Sequence, residues 1–433
     1  MAKKKRRNPD HVRRRQMPGP DNEVIEAQLE ELVSPAVANQ MAYYRQLGLR
    51  SRILNLPLMV AAVLTMLWRQ VPSVHELTRL LAREDLLGCR AVQVSQQALS
   101  QRFLSFPAAL FERVLKELLP CLRQRWQERQ SRPLAESIAY AQQHFERIWV
   151  ADGSTLEALF RKLKVLEDVP VGQLAGKIGT VVDLLTRLPV EVWFREQPRA
   201  NDTTFIPELL ALVTAKTLLV LDRGFYDFGF FAALIEKKAA FITRLKDNAF
   251  FIVSETLSST ATVKDMIIFL GTGQNGSPVL QLRLIEVRFG KVWYRYLTSV
   301  LDPTVLPPFV VADIYRRRWR IEEAFHTVKR LLNLSYLWTG SLNGLQLQIW
   351  ATWLFYALLV DLGDALADRL GLPFDRISLE MLYRAFYHFS VAYSKGLASD
   401  PVSYFADPAN RDLGIVKHLR KPIPRLDLSP FPI

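Results

Sequence analysis

The sequence predicts an α/β protein: a mixed sheet with flanking helices, preceded by an all-helical N-terminal domain. Three observations predict it. Residues 21–145 carry helix-type periodicity and little else. From His144 the texture changes to short apolar runs separated by helix-length segments. Two of those runs, Arg147–Ala151 and Thr217–Leu221, each stop at an aspartate.

The elements follow in chain order. Residues 1–20 hold eight Lys/Arg against Asp10, a net +7. Such a stretch is expected to stay disordered until it meets a phosphate backbone, as a DNA-tracking arm. The helical domain, 21–145, opens with helices over Glu23–Leu32, Arg52–Gln70 and Val74–Leu86. Leu77–Leu104 reads as a helix-turn-helix with Ser95–Phe103 as the recognition helix. Ser95 is a good N-cap, and Gln96, Gln97, Ser100, Gln101 and Arg102 are types that touch base edges and phosphates. A plain helical hairpin is the alternative.

Residues 146–246 alternate differently. After Arg147–Ala151 come Lys177–Leu185 and Val190–Glu196, joined by a turn at Thr186–Pro189. A helix over Asp202–Ala215, the buried strand Thr217–Leu221, a helix over Asp227–Lys238 and a strand over Ala240–Leu245 complete the series. The order β-β-β-α-β-α-β is that of the ribonuclease-H-like fold, with a five-stranded mixed sheet. Residues 247–309 leave that order. Val279–Phe289 and Lys291–Ser299 read as antiparallel strands of a β-rich insertion. Residues 310–370 return to the main domain, and 371–433 form a helical segment with a Pro-rich tail.

Tyr315–Lys329 reads as one helix. It lacks Gly and Pro, and Asp313 stands before it as an N-cap. Tyr315, Arg318, Glu322 and Lys329 fall within roughly 60° of one another at about 100° per residue. Ile314, Ile321, Phe325, Val328 and Leu332 form an apolar stripe beside them. The plain alternative is an amphipathic helix with a solvated, charge-rich face.

The spacing of those four residues resembles the YREK signature of bacterial DDE transposases of the fourth insertion-sequence family. The resemblance covers roughly residues 145–370. It implies that Glu322 is the third member of an acidic triad whose other members are Asp152 and Asp222, each after a strand. It implies Mg²⁺, two ions per site with Mn²⁺ able to substitute, held by Asp152, Asp222 and Glu322. Three carboxylates without His or Cys suit such a hard, oxygen-loving ion. It further implies double-stranded DNA as substrate, both inverted-repeat ends and target, cut through a hairpin intermediate. A homodimer synapsed on DNA in the bacterial cytoplasm, at the nucleoid, goes with it. Tyr315, Arg318 and Lys329 are then DNA-binding residues that grip the strand rather than the metals. Trp319 and Arg223 are candidates for the same groove. Tyr294, or Trp293 on the opposite strand face, stands where the family carries an aromatic that stacks on a flipped base.

Composition agrees with a polyanion partner. Net charge is +13, and beyond the N-terminal arm the chain stays basic by +6. Cys89 and Cys121 read as small core residues, and the six His show no ligand spacing. No apolar segment follows the basic N-terminus as in a secretory signal, and the runs Leu54–Leu67 and Ile349–Val360 are too short to span a bilayer. Two other classes share parts of this pattern: a ribonuclease-H-like nuclease or resolvase that cuts without joining, and a domesticated, non-catalytic DNA-binding protein.

Overall fold

A computed structural model describes residues 23–49, 52–71, 73–156, 176–197, 200–273, 278–332, 334, 338 and 341–416. The basic arm and the tail from Lys417 lie outside the described residues. The chain divides into two compact units: Met1–Leu122, Arg330–Leu370 and Asp375–Lys417 form one, and Arg123–Lys329, Gly371–Phe374 and His418–Ile433 the other.

In the described part, the first unit is helical. Its first helix runs Glu23–Asn39, past the expected end and through Pro35. Buried Leu32, Val33, Ala36 and Val37 keep the apolar stripe continuous across the proline. Leu56–Trp68 is buried over nearly its whole length and packs on the long helix Leu342–Leu370. That helix has 29 residues, long and apolar enough to cross a membrane, but 89% of its most apolar window is buried inside the protein. Asp361 and Asp364 are buried within it, which is why the sequence shows only a shorter apolar run. Cys121 is exposed and Cys89 half-buried, so neither is the core residue expected. In the helix Ala109–Glu128 the buried stripe runs through Leu118, Leu119 and Leu122 and leaves Cys121 outside.

The second unit is built on one mixed sheet. Its strands are β1 (Arg147–Thr155), β2 (Lys177–Asp183), β3 (Pro189–Arg195), β4 (Thr217–Leu221), β5 (Ala240–Arg244), β6 (Phe251–Ser259), β7 (Val263–Leu270), β8 (Leu280–Phe289) and β9 (Val292–Thr298). They lie in the order β3-β2-β1-β4-β5-β9-β8-β7-β6. β1, β4 and β5 are parallel neighbours, and every other pairing is antiparallel. Mixed sheet and flanking helices are consistent with a DDE or ribonuclease-H-like domain.

The expectation of five strands beside a separate insertion needs correction. β9 pairs with β5, Ile242 opposite Thr298 and Arg244 opposite Tyr296, so 247–309 extends the same sheet to nine strands. An unpaired β5 edge offers free N–H and C=O groups, and β9 satisfies them. β6 went unread because most of it is exposed and it lacks apolar alternation.

The expected single helix over Tyr315–Lys329 also fails. One helix, Pro308–Arg316, ends at Arg317, a second runs Trp319–His326, and Thr327–Leu331 is π-helical. Asp313 caps nothing. It lies inside the first helix, 6% exposed, and accepts from Ser137 Oγ at 2.5 Å, Arg317 Nε at 2.8 Å and the Arg316 guanidinium. Burial makes that carboxylate need partners, and the adjacent arginines supply them. The apolar residues expected to form a stripe, Ile314, Ile321, Phe325, Val328 and Leu332, are nonetheless all buried.

Candidate active site

Parallel pairing brings the first two acids together. Ala151 on β1 stands opposite Leu221 on β4, so Asp152 and Asp222 follow at equivalent places on neighbouring strands. Only Asp222 leaves its strand there. Asp152, opposite Thr180, does not end β1, which runs on to Thr155 because β2 stays paired with it as far as Lys177. The third acid, Glu322, sits in the first turn of Trp319–His326, a helix that packs on β1.

Arg318 joins all three. Its Nη1 is 3.2 Å from Asp152 Oδ2, and its Nη2 is 2.9 Å from Glu322 Oε1 and 3.6 Å from Asp222 Oδ1. The break between the two helices places this arginine just ahead of the second, one turn before Glu322. So Arg318 does not face outward to a DNA strand, as expected, but lies among the carboxylates. Buried like charges repel, and a guanidinium neutralises them. Burial, with repulsion from Asp222, raises the pKa of Asp152 to about 7 despite Arg318. Among the described residues, no group of three His, Cys, Asp or Glu side chains is close enough to hold a metal ion. The three acids converge on a cation all the same, and that cation is Arg318.

Tyr315 and Lys329 flank this centre. The Tyr315 ring lies 5.9 Å from the Arg318 guanidinium and 5.3 Å from the Tyr296 ring. Burial pushes its hydroxyl up to about 12. Lys329 Nζ donates to Thr155 O at 2.7 Å and to Ser154 Oγ, beside Asp152. Burial lowers its pKa to about 8. Trp319 is 59% exposed, with its ring 5.8 Å from the Arg318 guanidinium.

Other predicted residues are placed differently. Arg223 turns to the end of β5, with Nη2 donating to Leu245 O at 2.9 Å. Tyr294 shares a face of β9 with Tyr296 and lies 5.7 Å from the Arg244 guanidinium. Trp293 points to the other face, 5.2 Å from Lys264 Nζ. Gln97 and Gln101 are exposed on the helix Gln96–Ser105, whose N-cap Ser95 accepts from Ala98 N–H. Arg102 is drawn inward, donating to Leu54 O and Tyr44 OH, so it is not the exposed contact expected. Residues 82–95 separate that helix from Val74–Leu81, far more than the short turn of a helix-turn-helix.

The arginine run is mostly internal wiring. Arg316 and Arg317 hold Asp313, Arg318 the three acids, and Arg320 Glu323. Sequence reasoning missed Asp202, Lys177 and Arg244 near the site. Asp202 carried a signal only as the first residue of a helix.

Comparison with known proteins bears on the same region. A family described as "Transposase DDE domain" matches residues 172–358. The range contains Asp222, Arg318, Glu322 and Lys329 and begins after Asp152. A protein of Sinorhizobium fredii named "Putative transposase y4zB" is 25% identical over 170 residues, 38% of this chain and 45% of that protein. A protein of Geobacillus stearothermophilus named "Probable transposase for insertion sequence element IS5377" is 26% identical over 172 residues, 39% of this chain and 45% of its own. The chain thus aligns with less than half the length of either relative. The matched domain and these relatives support a DDE transposase.

Proposed function

We propose that the chain is a cut-and-paste DNA transposase of the YREK type, acting at terminal inverted repeats through a hairpin intermediate. One observation carries the reading: two carboxylates at matched places on parallel strands and a third on a helix converge on a single cationic group. The donor set is all carboxylate, as a hard divalent ion requires. Asp152, Asp222 and Glu322, now spaced around Arg318, would have to draw closer as it lets go in order to hold Mg²⁺, two ions per site or Mn²⁺ in their place. Such ions would activate an attacking oxygen and stabilise a leaving one.

The chain's own groups do the rest. Arg318 neutralises the acids in the absence of DNA, and a phosphate offers its guanidinium a bidentate partner in exchange. Lys329, held beside Asp152 through Ser154 and Thr155, adds a point charge at the scissile phosphate. Tyr315 backs Arg318, and exposed Trp319 lines the groove. Exposed Gln97 and Gln101 contact DNA directly, whereas Arg223 and Arg102 do so only after giving up or extending their present contacts. In the first step a water oxygen bonds to phosphorus as the 3′ oxygen leaves, freeing a 3′-hydroxyl. That hydroxyl then attacks a phosphorus of the opposite strand, the 3′ oxygen of the flanking DNA leaves with the proton, and the hairpin closes. Tyr294 is the better platform for the extruded base, because its strand face leads through Tyr296 and Tyr315 to Arg318. A homodimer synapsed on two ends, in the bacterial cytoplasm at the nucleoid, completes the proposal.

Incubating a labelled duplex of the DNA end that flanks the coding sequence with protein and Mg²⁺ tests it. Hairpins on a denaturing gel are expected. Nicks that never become hairpins would point to a nuclease that cuts without joining.

A further inference from the structure

The turn Asp202–Phe205 lies over three glycines on three chain segments. Gly153 follows Asp152 on β1, Gly179 faces it on β2, and Gly224 stands two residues after Asp222. A Cβ on Gly153 would stand 2.0 Å from Asp202 Oδ1, and one on Gly224 2.1 Å from Asp202 Oδ2. A Cβ on Gly179 would stand 2.8 Å from the Phe205 ring. None of the three glycines has a positive φ, so close approach rather than backbone freedom demands glycine there.

The two Asp202 oxygens therefore touch the chain just past both strand acids. Asp202 is itself anchored. Lys177 Nζ on β2 lies 2.6 Å from its Oδ1 and donates to Ala200 O at 2.7 Å. Side-chain exposure is 17% for Asp202 and 11% for Lys177, so the pair is largely desolvated and neither partner is cheaply lost. Lys177 stands opposite Thr155, whose carbonyl accepts from Lys329.

We propose that Asp202, held by Lys177, is a positioning residue that wedges against Gly153 and Gly224 and so sets Asp152 and Asp222 at their working separation. It rests on the reading of Asp152 and Asp222 as the cleaving carboxylates. The wedge does not contact DNA. It fixes two groups whose placement decides the rate, where a misplacement of about 1 Å can cost roughly a hundredfold.

Glycine replacement separates wedging from simple space-filling. Gly224→Ala alone puts a methyl into the carboxylate and should lower both melting temperature and cleavage. Asp202→Ala/Gly224→Ala swaps the carboxylate for a methyl in the same space, and Asp202→Asn keeps the shape without the charge that binds Lys177. Both leave the largely buried Lys177 without its counter-charge and should melt somewhat below wild type. At a temperature where both are folded they should cleave the labelled end duplex at least tenfold more slowly at saturating DNA, and bind Mn²⁺, followed by EPR without DNA, at least fivefold more weakly. End affinity should stay within twofold. Wild-type cleavage and Mn²⁺ binding in either variant would reduce Asp202 to a spacer and overturn the proposal. If the double variant does not fold at the assay temperature, Asp202→Asn decides alone. Asp152→Ala is the control: if it cleaves, the reading of the site fails whatever Asp202 does, whereas an inactive Asp152→Ala beside a fully active Asp202→Asn sinks only the wedge.

Discussion

Removing Arg318 should make the protein's stability depend on a divalent cation. In Arg318→Ala the carboxylates of Asp152, Asp222 and Glu322 lose their shared counter-charge at 3.2, 3.6 and 2.9 Å. Stripping one partner from a buried pair costs about 3–5 kcal/mol. Asp222 and Glu322 are each 36% exposed, so water screens part of this and the lower end, about 3 kcal/mol, applies. For a unit of this size each kcal/mol shifts melting by about 2–4 °C, so the metal-free variant should melt roughly 6–12 °C below wild type. A cation at a hundred times its Kd restores about 2.7 kcal/mol, most of the gap. In wild type the same ion must first displace the guanidinium and should add less. Differential scanning calorimetry with EDTA and with excess Mg²⁺ reads both effects. Equal Mg²⁺ shifts in the two proteins would refute the idea that guanidinium and metal share one set of carboxylates.

Three further outcomes are expected. Burial, with Asp222, raises the Asp152 pKa to about 7, so the folded carboxyl keeps a proton that the unfolded chain has already lost above its ordinary value of 3.8. Metal-free stability should therefore fall as pH rises from about 4 to 7. Asp152→Asn should flatten that fall in urea melts, and an unchanged profile would contradict it. Burial lowers Lys329 to about 8, so end binding should weaken between pH 7 and 9 in wild type. It should stay flat in Lys329→Arg, as anisotropy titrations would show. Tyr294→Ala should accumulate nicked ends with few hairpins, stacking being worth about 1–3 kcal/mol per base, whereas Trp293→Ala should form hairpins at the wild-type ratio. The reverse pattern would move the platform to the other face of β9.

Much of the placement of the candidate site's residues was legible, for physical reasons. Thr217–Leu221 is buried on both faces, so its sequence is an unbroken apolar run, and Asp222 marks where it leaves the sheet. Glu322 and Arg318 are four apart, a spacing that survives the helix break because Arg318 sits at the head of the second helix. The break itself carried no Gly or Pro. It falls at Arg317, which reaches one turn back to buried Asp313, and that carboxylate is also tied to Ser137, 176 residues away, a tertiary contact that local pattern does not reveal. β6 was hidden for a related reason: an exposed, Ser- and Thr-rich strand has no apolar period to detect. Asp202 looked like an ordinary helix start because its partners, Gly153, Gly224 and Lys177, lie 49, 22 and 25 residues away.

The most direct test of the central claim is cleavage by three single variants, Asp152→Ala, Asp222→Ala and Glu322→Ala, on the labelled end duplex with Mg²⁺. Each should lose nicking and hairpin formation while binding the duplex with nearly wild-type affinity. If any one of them retains substantial Mg²⁺-dependent cleavage, that carboxylate is not part of the catalytic set.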